Sequence, residues 1–478
     1  MTDYDLLLIN PSISTNQKII TNVGNIFMPK NFVCRSFNTG LLSIASYVQS
    51  KGYQVKIIDL LDKKDNKYLV KNLENEKPLV AAISCQSGFG YPSSLKCAEI
   101  IKQISPKTIV IGGGCHLGAL GKIVWEDTNA FDLIGQFEGE WLLVELLARL
   151  KKNKEYSDLP SLVYKKNHQI IENNFFPQII DVNIIPNLQF SLYPNYKTFA
   201  PFIEESRGCF AECEFCMSKF QYNRQLRIKR PEKIKQEFDN LFSYFGASKT
   251  YAVLASTFGV NTLHTIEFTK ILKKYDITWT TETRVDAPWK KWLNDAVKSG
   301  LKVLNASPES GSPEILLRMK KTTNPKAYLN KTVDLINESN NYDKLILKLN
   351  YLFYLGETPT TIKETIDFIV KNGEKIHSLA CSPLMIYPGS EASAKFQTFA
   401  KEYGSSLISD ELWKPLRIYP CNVSKYFSFY EMANLSAVLD KMYNSEEKYY
   451  QTMEYKFGTK HKSKVKKSII ESKFGRQN

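Results

Sequence analysis

Histidine is scarce in this sequence, and long hydrophobic runs are absent. Only 5 of the 478 residues are histidine, and no run approaches the roughly 18 consecutive apolar residues of a membrane-spanning helix. The first residues, Met1 to Asp5, are acidic and lead directly into a strand pattern, whereas a secretory signal begins with positive charge. The lack of a membrane-spanning run and of a secretory signal predicts a cytoplasmic protein that does not enter a membrane. In the cytoplasm thiols stay reduced and can bind metal.

Disorder and nucleic-acid binding are disfavoured by the composition. Hydrophobic residues make up 43% of the chain and aromatic residues 12%, as in globular proteins. The net charge is +14, but the lysines are dispersed over predicted helix faces and a basic tail at 460–467, and no recognisable RNA-binding module accompanies them. We therefore predict a solvated lysine surface and no nucleic-acid partner. The length predicts about three domains of roughly 150 residues each.

Three of the nine cysteines are spaced Cys-x3-Cys-x2-Cys, at Cys209, Cys213 and Cys216. A structural zinc site needs four protein ligands, and residues 217–256 contain neither Cys nor His to supply the fourth. An iron–sulfur cluster held by three thiolates instead leaves one iron open to a substrate or cosubstrate. We therefore favour a reactive iron–sulfur cluster over a zinc knuckle.

The first 150 residues alternate short apolar strands with amphipathic helices. This pattern is typical of a parallel sheet covered on both faces, and such sheets bind ligands at the carboxyl ends of their strands. A glycine run at 112–114 follows the fourth strand, but a dinucleotide fingerprint follows the first, and Leu117 stands where its last glycine would be. NAD binding is therefore not predicted. The predicted strands are 5–10, 54–59, 79–84 and 108–112, and the predicted helices are 41–49 and 93–104.

A second series of strand and helix units begins near residue 201. The cysteine motif directly follows its first strand, in the position where (βα) barrels carry their functional loops. After about residue 400 the pattern turns helical and basic. The six predicted strands are 201–205, 250–254, 277–284, 303–307, 345–354 and 379–387.

The cysteine motif, with Phe215 before its last cysteine, resembles the signature of the radical S-adenosylmethionine (SAM) superfamily. The resemblance implies a partial (βα)6 barrel in which Cys209, Cys213 and Cys216 hold a 4Fe–4S cluster. SAM would bind the open iron, and one electron from the cluster would release a 5′-deoxyadenosyl radical. The aromatic ring of Phe215 would lie near the adenine.

Polar residues at the ends of later strands resemble segments of that superfamily that contact SAM. Glu309 and Ser310 open a Glu-Ser-Gly-Ser segment, and Arg284 ends the third predicted strand, where its planar guanidinium is placed to meet a carboxylate. Residues 356–358 and 387–390 resemble turns that follow the fifth and sixth strands of the superfamily. We predict that Glu309, Ser310, Arg284 and Phe215 bind SAM; the alternative is ordinary solvation at a barrel mouth.

The first 150 residues resemble the cobalamin-binding domain found ahead of many radical SAM cores. Three segments carry the likeness: Asn-Pro at 10–11, Gly-Gly-x-x-His at 112–116 and Glu-Gly-Glu at 138–140. The Asp-x-His-x-x-Gly motif that supplies an axial histidine in other cobalamin proteins is absent, because Gly114 and Ala119 occupy its end positions. We therefore predict that His116 is a loop residue near the corrin and not a cobalt ligand.

The predicted organisation is α/β throughout most of the chain. A Rossmann-like domain of the cobalamin-binding type occupies 1–150, and a linker with a small hairpin occupies 151–195. A partial (βα)6 radical SAM barrel forms the core at 196–400, and a helical C-terminal region with a basic tail occupies 401–478.

Together the resemblances imply a cobalamin-dependent radical SAM enzyme that methylates an unactivated carbon of a small molecule or natural product. Its cofactors would be a 4Fe–4S cluster, SAM and cobalamin, and its partners a small-molecule substrate and an electron donor such as flavodoxin or ferredoxin. Three alternatives stay open. They are a non-methylating rearrangement or oxidative cyclisation on the same architecture, radical chemistry without cobalamin, and a corrin-binding sensor or carrier without catalysis.

Overall fold

The computed structural model describes residues 4–13, 37–61, 66–174, 181–247 and 250–444. Two large sheets with their covering helices organise these ranges, one in each half of the chain. None of the helices within these ranges combines the length and the apolar character needed to cross a membrane.

A seven-stranded sheet forms the first half. Its elements are β1 (Leu6–Asn10), α1 (Thr39–Ser50), β2 (Val55–Asp59), α2 (Lys67–Asn75), β3 (Val80–Ser84), α3 (Tyr91–Ile104), β4 (Ile109–Gly113), α4 (Gly114–Leu120), β5 (Leu133–Gly135), α5 (Gly139–Lys151), β6 (Leu162–Lys166) and β7 (Gln169–Glu172). The strand order is β2-β1-β3-β4-β5-β6-β7, and β1 to β5 are parallel. The four predicted strands and both predicted helices are present within two residues of their predicted ends.

Both faces of the parallel part of this sheet are buried, as its continuous apolar strands predict. Leu6 and Leu8 of β1 belong to the core beneath α1 and α5, whereas Leu7 and Ile9 belong to the core on the opposite face. Successive strand residues point to opposite faces, so an uninterrupted run of apolar residues is required to fill both cores.

The hairpin that the sequence assigned to a linker is part of the first sheet. β6 and β7 form the hairpin, and β6 pairs antiparallel with β5, with Val163 opposite Ile134. The sheet therefore extends to residue 172, beyond the predicted domain limit at 150. β5 itself was not predicted, because its three residues are too short to give a strand pattern. The hairpin covers the edge that this short strand would otherwise expose.

Six parallel strands form the second sheet, in chain order: β8 (Phe202–Glu204), β11 (Thr250–Leu254), β12 (Thr278–Thr283), β13 (Leu301–Glu309), β14 (Ile346–Phe353) and β15 (Ser378–Pro383). Each pairs with the next, which confirms the partial (βα)6 barrel. Its helices are α6 (Ser218–Tyr222), α7 (Pro231–Phe245), α8 (Thr262–Lys273), α9 (Leu293–Lys298), α10 (Pro313–Arg318), α11 (Pro325–Ser339), α12 (Pro359–Lys371) and α13 (Glu391–Ala394). The short strands β9 (Ser206–Arg207) and β10 (Arg227–Ile228) flank the cysteine motif and pair with each other.

The described part of the C-terminal region, up to residue 444, contains short strands as well as helices. α14 (Phe396–Tyr403) begins before residue 401, and a small antiparallel sheet joins β16 (Met385–Ile386), β17 (Ser406–Leu407) and β18 (Tyr419–Asn422). Strand β18 pairs with residues more than thirty positions earlier, so local periodicity did not reveal it. The last described helix, α15 (Phe429–Tyr443), lies along the edge strand β15, where the Asp440 side chain accepts a hydrogen bond from the Cys381 N–H. The predicted basic tail at 460–467 lies outside the described residues.

Candidate functional site

The cysteine motif occupies a loop between β9 and α6. Gly208, at φ +86°, turns the chain into this loop, and a Cβ at this position would lie 1.9 Å from the Gln225 carbonyl oxygen. Only glycine adopts this conformation readily and permits this approach. Among the described residues, no three His, Cys, Asp or Glu side chains converge on a point where a single metal ion would fit.

Hydrogen-bond donors surround the three sulfurs. The Ala211 N–H donates to Cys209 Sγ at 3.4 Å, and the Ser218 N–H donates to Cys216 Sγ at 3.5 Å. The Thr257 hydroxyl lies 3.3 Å from Cys209 Sγ, but it donates its own hydrogen to the Ser256 carbonyl oxygen. Donors of this kind stabilise negative charge on thiolates and tune the potential of a cluster. The donor set around the loop thus fits an anionic iron–sulfur centre.

Arg284 lies against the same loop, but its guanidinium is already engaged. Its Nη1 donates to Cys213 Sγ at 3.6 Å, and its Nε donates to Asp286 at 2.8 Å. A third contact, 2.6 Å long, joins Nη2 to the Lys321 carbonyl oxygen. Burial raises the pKa of the Cys213 thiol, while the Lys321 and Arg284 cations act in the opposite direction. The carboxylate that Arg284 meets in this structure belongs to the protein itself.

Lys321, which the sequence did not single out, joins Glu309 to Phe215. Its buried ammonium group donates to Glu309 Oε1 at 3.0 Å and lies 5.9 Å from the centre of the Phe215 ring. Burial opposes the lysine charge, but the Glu309 carboxylate outweighs it and raises the pKa of Lys321 above its usual value. Glu309 has a positive φ of 71°, an uncommon conformation for a residue with a side chain. Glu309 and Phe215 are thus brought together beside the cysteine loop.

Ser310 and Glu309 are adjacent in sequence but contact different parts of the barrel. The Ser310 hydroxyl lies 3.0 Å from Thr365 Oγ1 of α12 and accepts a hydrogen bond from the Ser312 N–H. Its side chain is buried within the protein. The structure therefore places Ser310 where it shapes the turn after β13.

A cleft opens at the carboxyl ends of β3, β4 and β5 and extends beneath α1 and α5. Glycines line much of it: Gly40, Gly112, Gly113, Gly114, Gly135 and Gly139. A Cβ on Gly40 or Gly113 would meet no atom closer than 3.7 Å, so these two glycines leave open space where side chains would fill the cleft. At these two positions a cofactor in the cleft can approach the backbone closely.

The barrel supplies the other wall of this cleft, through Phe202, Glu204, Arg207 and Lys229. Arg207 precedes the cysteine loop and is buried. Its Nη2 lies 2.8 Å from Glu140 and its Nη1 lies 3.3 Å from Glu138, both in the first domain. Burial alone would raise the pKa of Glu140, but the Arg207 cation and a hydrogen bond from Ser43 hold it below its usual value. The predicted Glu-Gly-Glu segment thus contacts the start of the cysteine loop.

His116 differs from its prediction because it lies within helix α4 and not in a loop. Its ring is buried against Tyr91, and its Nε2 lies 3.1 Å from the Leu416 carbonyl oxygen. Burial lowers the pKa of His116 to about 4, so the imidazole is neutral near pH 7. The side chain contacts the C-terminal region and is not among the residues that line the glycine cleft.

Glu357, in the Gly-Glu-Thr turn after β14, is a buried carboxyl group that accepts a hydrogen bond from Thr361. Burial raises its pKa from 4.5 to about 7. The folded protein therefore retains this proton up to about pH 7, whereas the unfolded chain releases it near pH 4.5. Stability gained through this proton is present below about pH 4.5 and is lost as pH rises through 7.

We expect Glu357→Gln, which stays neutral, to be more stable than the original protein at pH 8, by up to about 3 kcal/mol. The two proteins should differ little at pH 5. Urea unfolding at both pH values, followed by circular dichroism, measures this. The exposed Glu374 provides a matched control, since Glu374→Gln should change stability little at either pH. An equal effect of Glu357→Gln at pH 5 and pH 8 would contradict the raised pKa.

Two models of known protein families match the chain. The model of the radical SAM superfamily matches residues 203–369, which include the three cysteines. The model of the B12 binding domain matches residues 35–147, which include the glycines of the cleft and Glu138. The chain therefore contains a radical SAM domain and a B12-binding domain. These two domains make the protein an enzyme that uses a 4Fe–4S cluster, SAM and cobalamin, which confirms the predictions drawn from the motifs.

Curated relatives of this radical SAM protein include a methyltransferase, described as uncharacterized, of Pyrococcus horikoshii. It is 27% identical over 340 residues, which are 70% of the chain and 72% of the relative. The cobalamin-dependent radical SAM methyltransferase TokK of Streptomyces tokunonensis is 24% identical over 34% of the chain. An anaerobic magnesium-protoporphyrin IX monomethyl ester cyclase of Cereibacter sphaeroides is 25% identical over 32% of it. The chain spans 25% of the length of TokK and 27% of that of the cyclase.

Solved structures share the fold of this radical SAM protein. One is the cobalamin-dependent SAM radical enzyme OxsB with aqua-cobalamin and SAM bound, with a TM-score of 0.69 and 18% sequence identity. The aligned region covers 91% of this chain and 66% of OxsB. The radical SAM methyltransferase TsrM from Kitasatospora setae, with tryptophan and a SAM analogue bound, has a TM-score of 0.68 and 13% identity, and covers 85% of the chain and 79% of TsrM. At these identities the likeness concerns the fold.

Proposed function

We propose that this radical SAM protein is a cobalamin-dependent methyltransferase that acts on an unactivated carbon of a small molecule. The observation that carries the proposal is the shared cleft, because the glycine loops of the B12-binding domain and Arg207, two residues before Cys209, line the same cavity. Two relatives, from P. horikoshii and S. tokunonensis, are methyltransferases by name. Their similarity supports methyl transfer over other radical reactions.

When bound, the cluster and SAM supply a radical that abstracts hydrogen from a carbon, and cobalamin supplies the methyl group. The residues of this chain hold and orient these groups. Cys209, Cys213 and Cys216 hold the cluster through their thiolates. The donors on their sulfurs, including Arg284, stabilise the negative charge that reduction adds.

Our candidates for SAM binding are Glu309, Phe215, Arg284 and Ser310, which act in different ways. Phe215 lies within the cysteine loop, and Lys321 joins Glu309 to it, which supports a contact of both side chains with SAM. Arg284 is fixed by Asp286 and acts on the sulfur of Cys213. Ser310 supports the turn that carries Glu309, because its hydroxyl is engaged with Thr365.

The electron for SAM cleavage has to come from outside the chain, because the described residues include no second candidate cluster. We propose a low-potential carrier such as flavodoxin or ferredoxin as its source. The cysteine loop supports this, because Phe210, between Cys209 and Cys213, reaches the protein surface. A carrier protein can therefore approach the loop from solvent.

Labelled SAM tests the proposed reaction. Anaerobically reconstituted protein, incubated with hydroxocobalamin, a chemical reductant and SAM with a deuterated methyl group, should form 5′-deoxyadenosine and transfer the label to cobalamin. In the presence of substrate the label should appear in a product one methyl group heavier. Mass spectrometry measures both. Cys209→Ala should form no deoxyadenosine, whereas Cys421→Ala, a buried cysteine of the C-terminal region, should form as much as the original protein.

A second candidate function is a radical cyclisation without methyl transfer. The similarity to the anaerobic magnesium-protoporphyrin IX monomethyl ester cyclase favours it, because that relative also aligns with this chain. The same experiment separates the two functions. Deoxyadenosine without any transfer of label would contradict methyl transfer and support cyclisation. An unchanged yield of deoxyadenosine in Cys209→Ala would contradict both.

A further inference from the structure

The cysteine loop forms one wall of a surface groove of about 750 Å³. Phe210, 52% exposed, and Leu317, 51% exposed, present large apolar side chains there. Arg284 forms part of the wall and also contacts Cys213 Sγ at 3.6 Å. A molecule seated in this groove is therefore separated from a candidate cluster ligand by one side chain.

Lys320 lines this groove, and Lys395 and Lys219 share the carboxylates of Glu214 and Glu391 with it. We call Lys219, Lys320 and Lys395 the lysine rim. Their side chains are 45%, 41% and 43% exposed. They lie over two carboxylates, Glu214 and Glu391, whose side chains are only 4% and 14% exposed. Lys320 also lines the groove itself, which makes the rim and the apolar pair one continuous surface.

The ion pairs of the rim direct positive charge outward. Lys320 and Lys395 each contact Glu214 Oε1 at 2.9 Å, and Lys219 contacts Glu391 Oε2 at 2.9 Å. Because the carboxylates lie beneath and the ammonium groups outside, solvent meets the cations first. Glu214 lies between Cys213 and Cys216, so this arrangement holds the rim at the cysteine loop.

We propose that the groove and the lysine rim form the docking surface of an acidic one-electron carrier protein. This inference rests on the proposed function, since it concerns how the cluster is reduced. In the step itself the reduced flavin or iron–sulfur centre of the carrier loses one electron and the oxidised cluster gains it, with no bond made or broken. Phe210 and Leu317 provide a small apolar contact, and the rim attracts the acidic carrier.

The composition of this surface suits a transient complex with a redox carrier protein. Redox complexes bury small areas, below about 1,200 Å², and their charged residues accelerate association in a salt-dependent manner. Each rim lysine retains the carboxylate beneath it in the absence of a carrier, so the free surface is stable and its exposed cations stay available.

Stopped-flow reduction of the cluster tests the proposal. The probes are a purified bacterial flavodoxin and a purified 2Fe–2S ferredoxin, both acidic and used in their reduced forms. The test protein is the triple variant Lys219→Gln, Lys320→Gln, Lys395→Gln, loaded with cluster. At low salt we expect its rate constant for reduction by at least one carrier to fall about ten-fold or more, and the dependence of that rate on salt to weaken. Reduction by dithionite, a small reagent, should be unchanged.

A matched control removes three lysines of other helices, as Lys235→Gln, Lys270→Gln, Lys363→Gln. These are exposed and ion-paired with a neighbouring carboxylate, but none lines the groove. The control should be reduced as fast as the original protein. A second pair of variants, Phe210→Ser and Leu317→Ser, should slow reduction by the carrier without changing its salt dependence.

Equal rates for the rim variant and the control would overturn the proposal, and so would a cluster that dithionite reduces but neither carrier does. If the rim triple variant loses its iron, the single variant Lys395→Gln becomes the test protein. Of the three rim lysines, Lys395 lies farthest along the chain from the cysteines. The readout is cluster reduction and not product formation. A protein that accepts electrons at this surface but transfers no methyl group would contradict the proposed function alone.

Discussion

Cys213→Ser should lose the cluster and lower the rate of SAM cleavage by about 10³ or more, equivalent to about 4 kcal/mol of activation free energy. In the proposed assignment one iron is reserved for SAM and three cysteines hold the other irons, so none can be lost without opening a second iron. Serine has nearly the same size as cysteine, but its oxygen is a poor substitute for a thiolate. The Arg284 guanidinium would lose its contact with the Cys213 sulfur but would keep its ion pair with Asp286.

Iron content, the electron paramagnetic resonance spectrum of the reduced protein and the yield of 5′-deoxyadenosine measure this outcome. Cys97→Ser is the matched control, because Cys97 is a buried cysteine in the core of the first sheet. It should retain the iron content and spectrum of the original protein. If Cys213→Ser kept its iron and Cys97→Ser lost it, the assignment of the cysteine loop would be wrong.

Arg207→Met should destabilise the protein by about 3–5 kcal/mol, the range for breaking a buried ion pair by removing one partner. The loss leaves the buried Glu140 carboxylate with the Ser43 hydroxyl but without a cation. Glu138 is affected less, because Arg227 contacts it through two hydrogen bonds of 2.8 Å. The thermal midpoint should fall by at least about 5 °C, and the affinity for cobalamin should fall with it, since Arg207 and Glu140 line the glycine cleft.

The double variant Arg207→Met, Glu140→Gln provides the sharper test. It removes both charges, so it should recover part of the lost stability, with a coupling energy of about 0.5–3 kcal/mol. Arg230→Met removes an exposed arginine that is paired with Asp181 and serves as a control, with an expected change below about 1 kcal/mol. Additive effects of the two substitutions at Arg207 and Glu140 would show that the pair does not join the two domains energetically.

The fold could be read from the sequence wherever one element carried its own pattern. The run Leu6 to Ile9 is apolar throughout, which indicates a strand buried on both faces. In the structure the side chains of this run are buried in the two cores on opposite faces of the sheet. β5 and β18 were missed for the opposite reason. Three residues are too few to show a period, and a short strand that pairs with a distant partner depends on that partner.

The sequence predicted which region of the barrel the candidate site residues occupy, but not which side chains they contact. The sequence grouped Glu309 with Ser310 as SAM-binding residues. In the structure Glu309 accepts a hydrogen bond from Lys321, whereas the Ser310 hydroxyl is hydrogen-bonded to that of Thr365. The sequence also predicted that the Arg284 guanidinium would bind a carboxylate of the cofactor. In the structure this guanidinium binds the Asp286 carboxylate instead. Lys321 had no signal of its own, because a lysine after a short helix is usually a solvated surface residue.

What the sequence alone determined is the order of the strands and helices and the trio of cysteines, since both depend on residues that are close along the chain. Only the tertiary structure decided which charged groups meet across the two domains. Arg207 reaches Glu138 and Glu140 over more than sixty intervening residues. Spacing and periodicity report local geometry, but the partner of a buried charge is selected by how whole domains pack, because burial makes an unpaired charge too costly to leave.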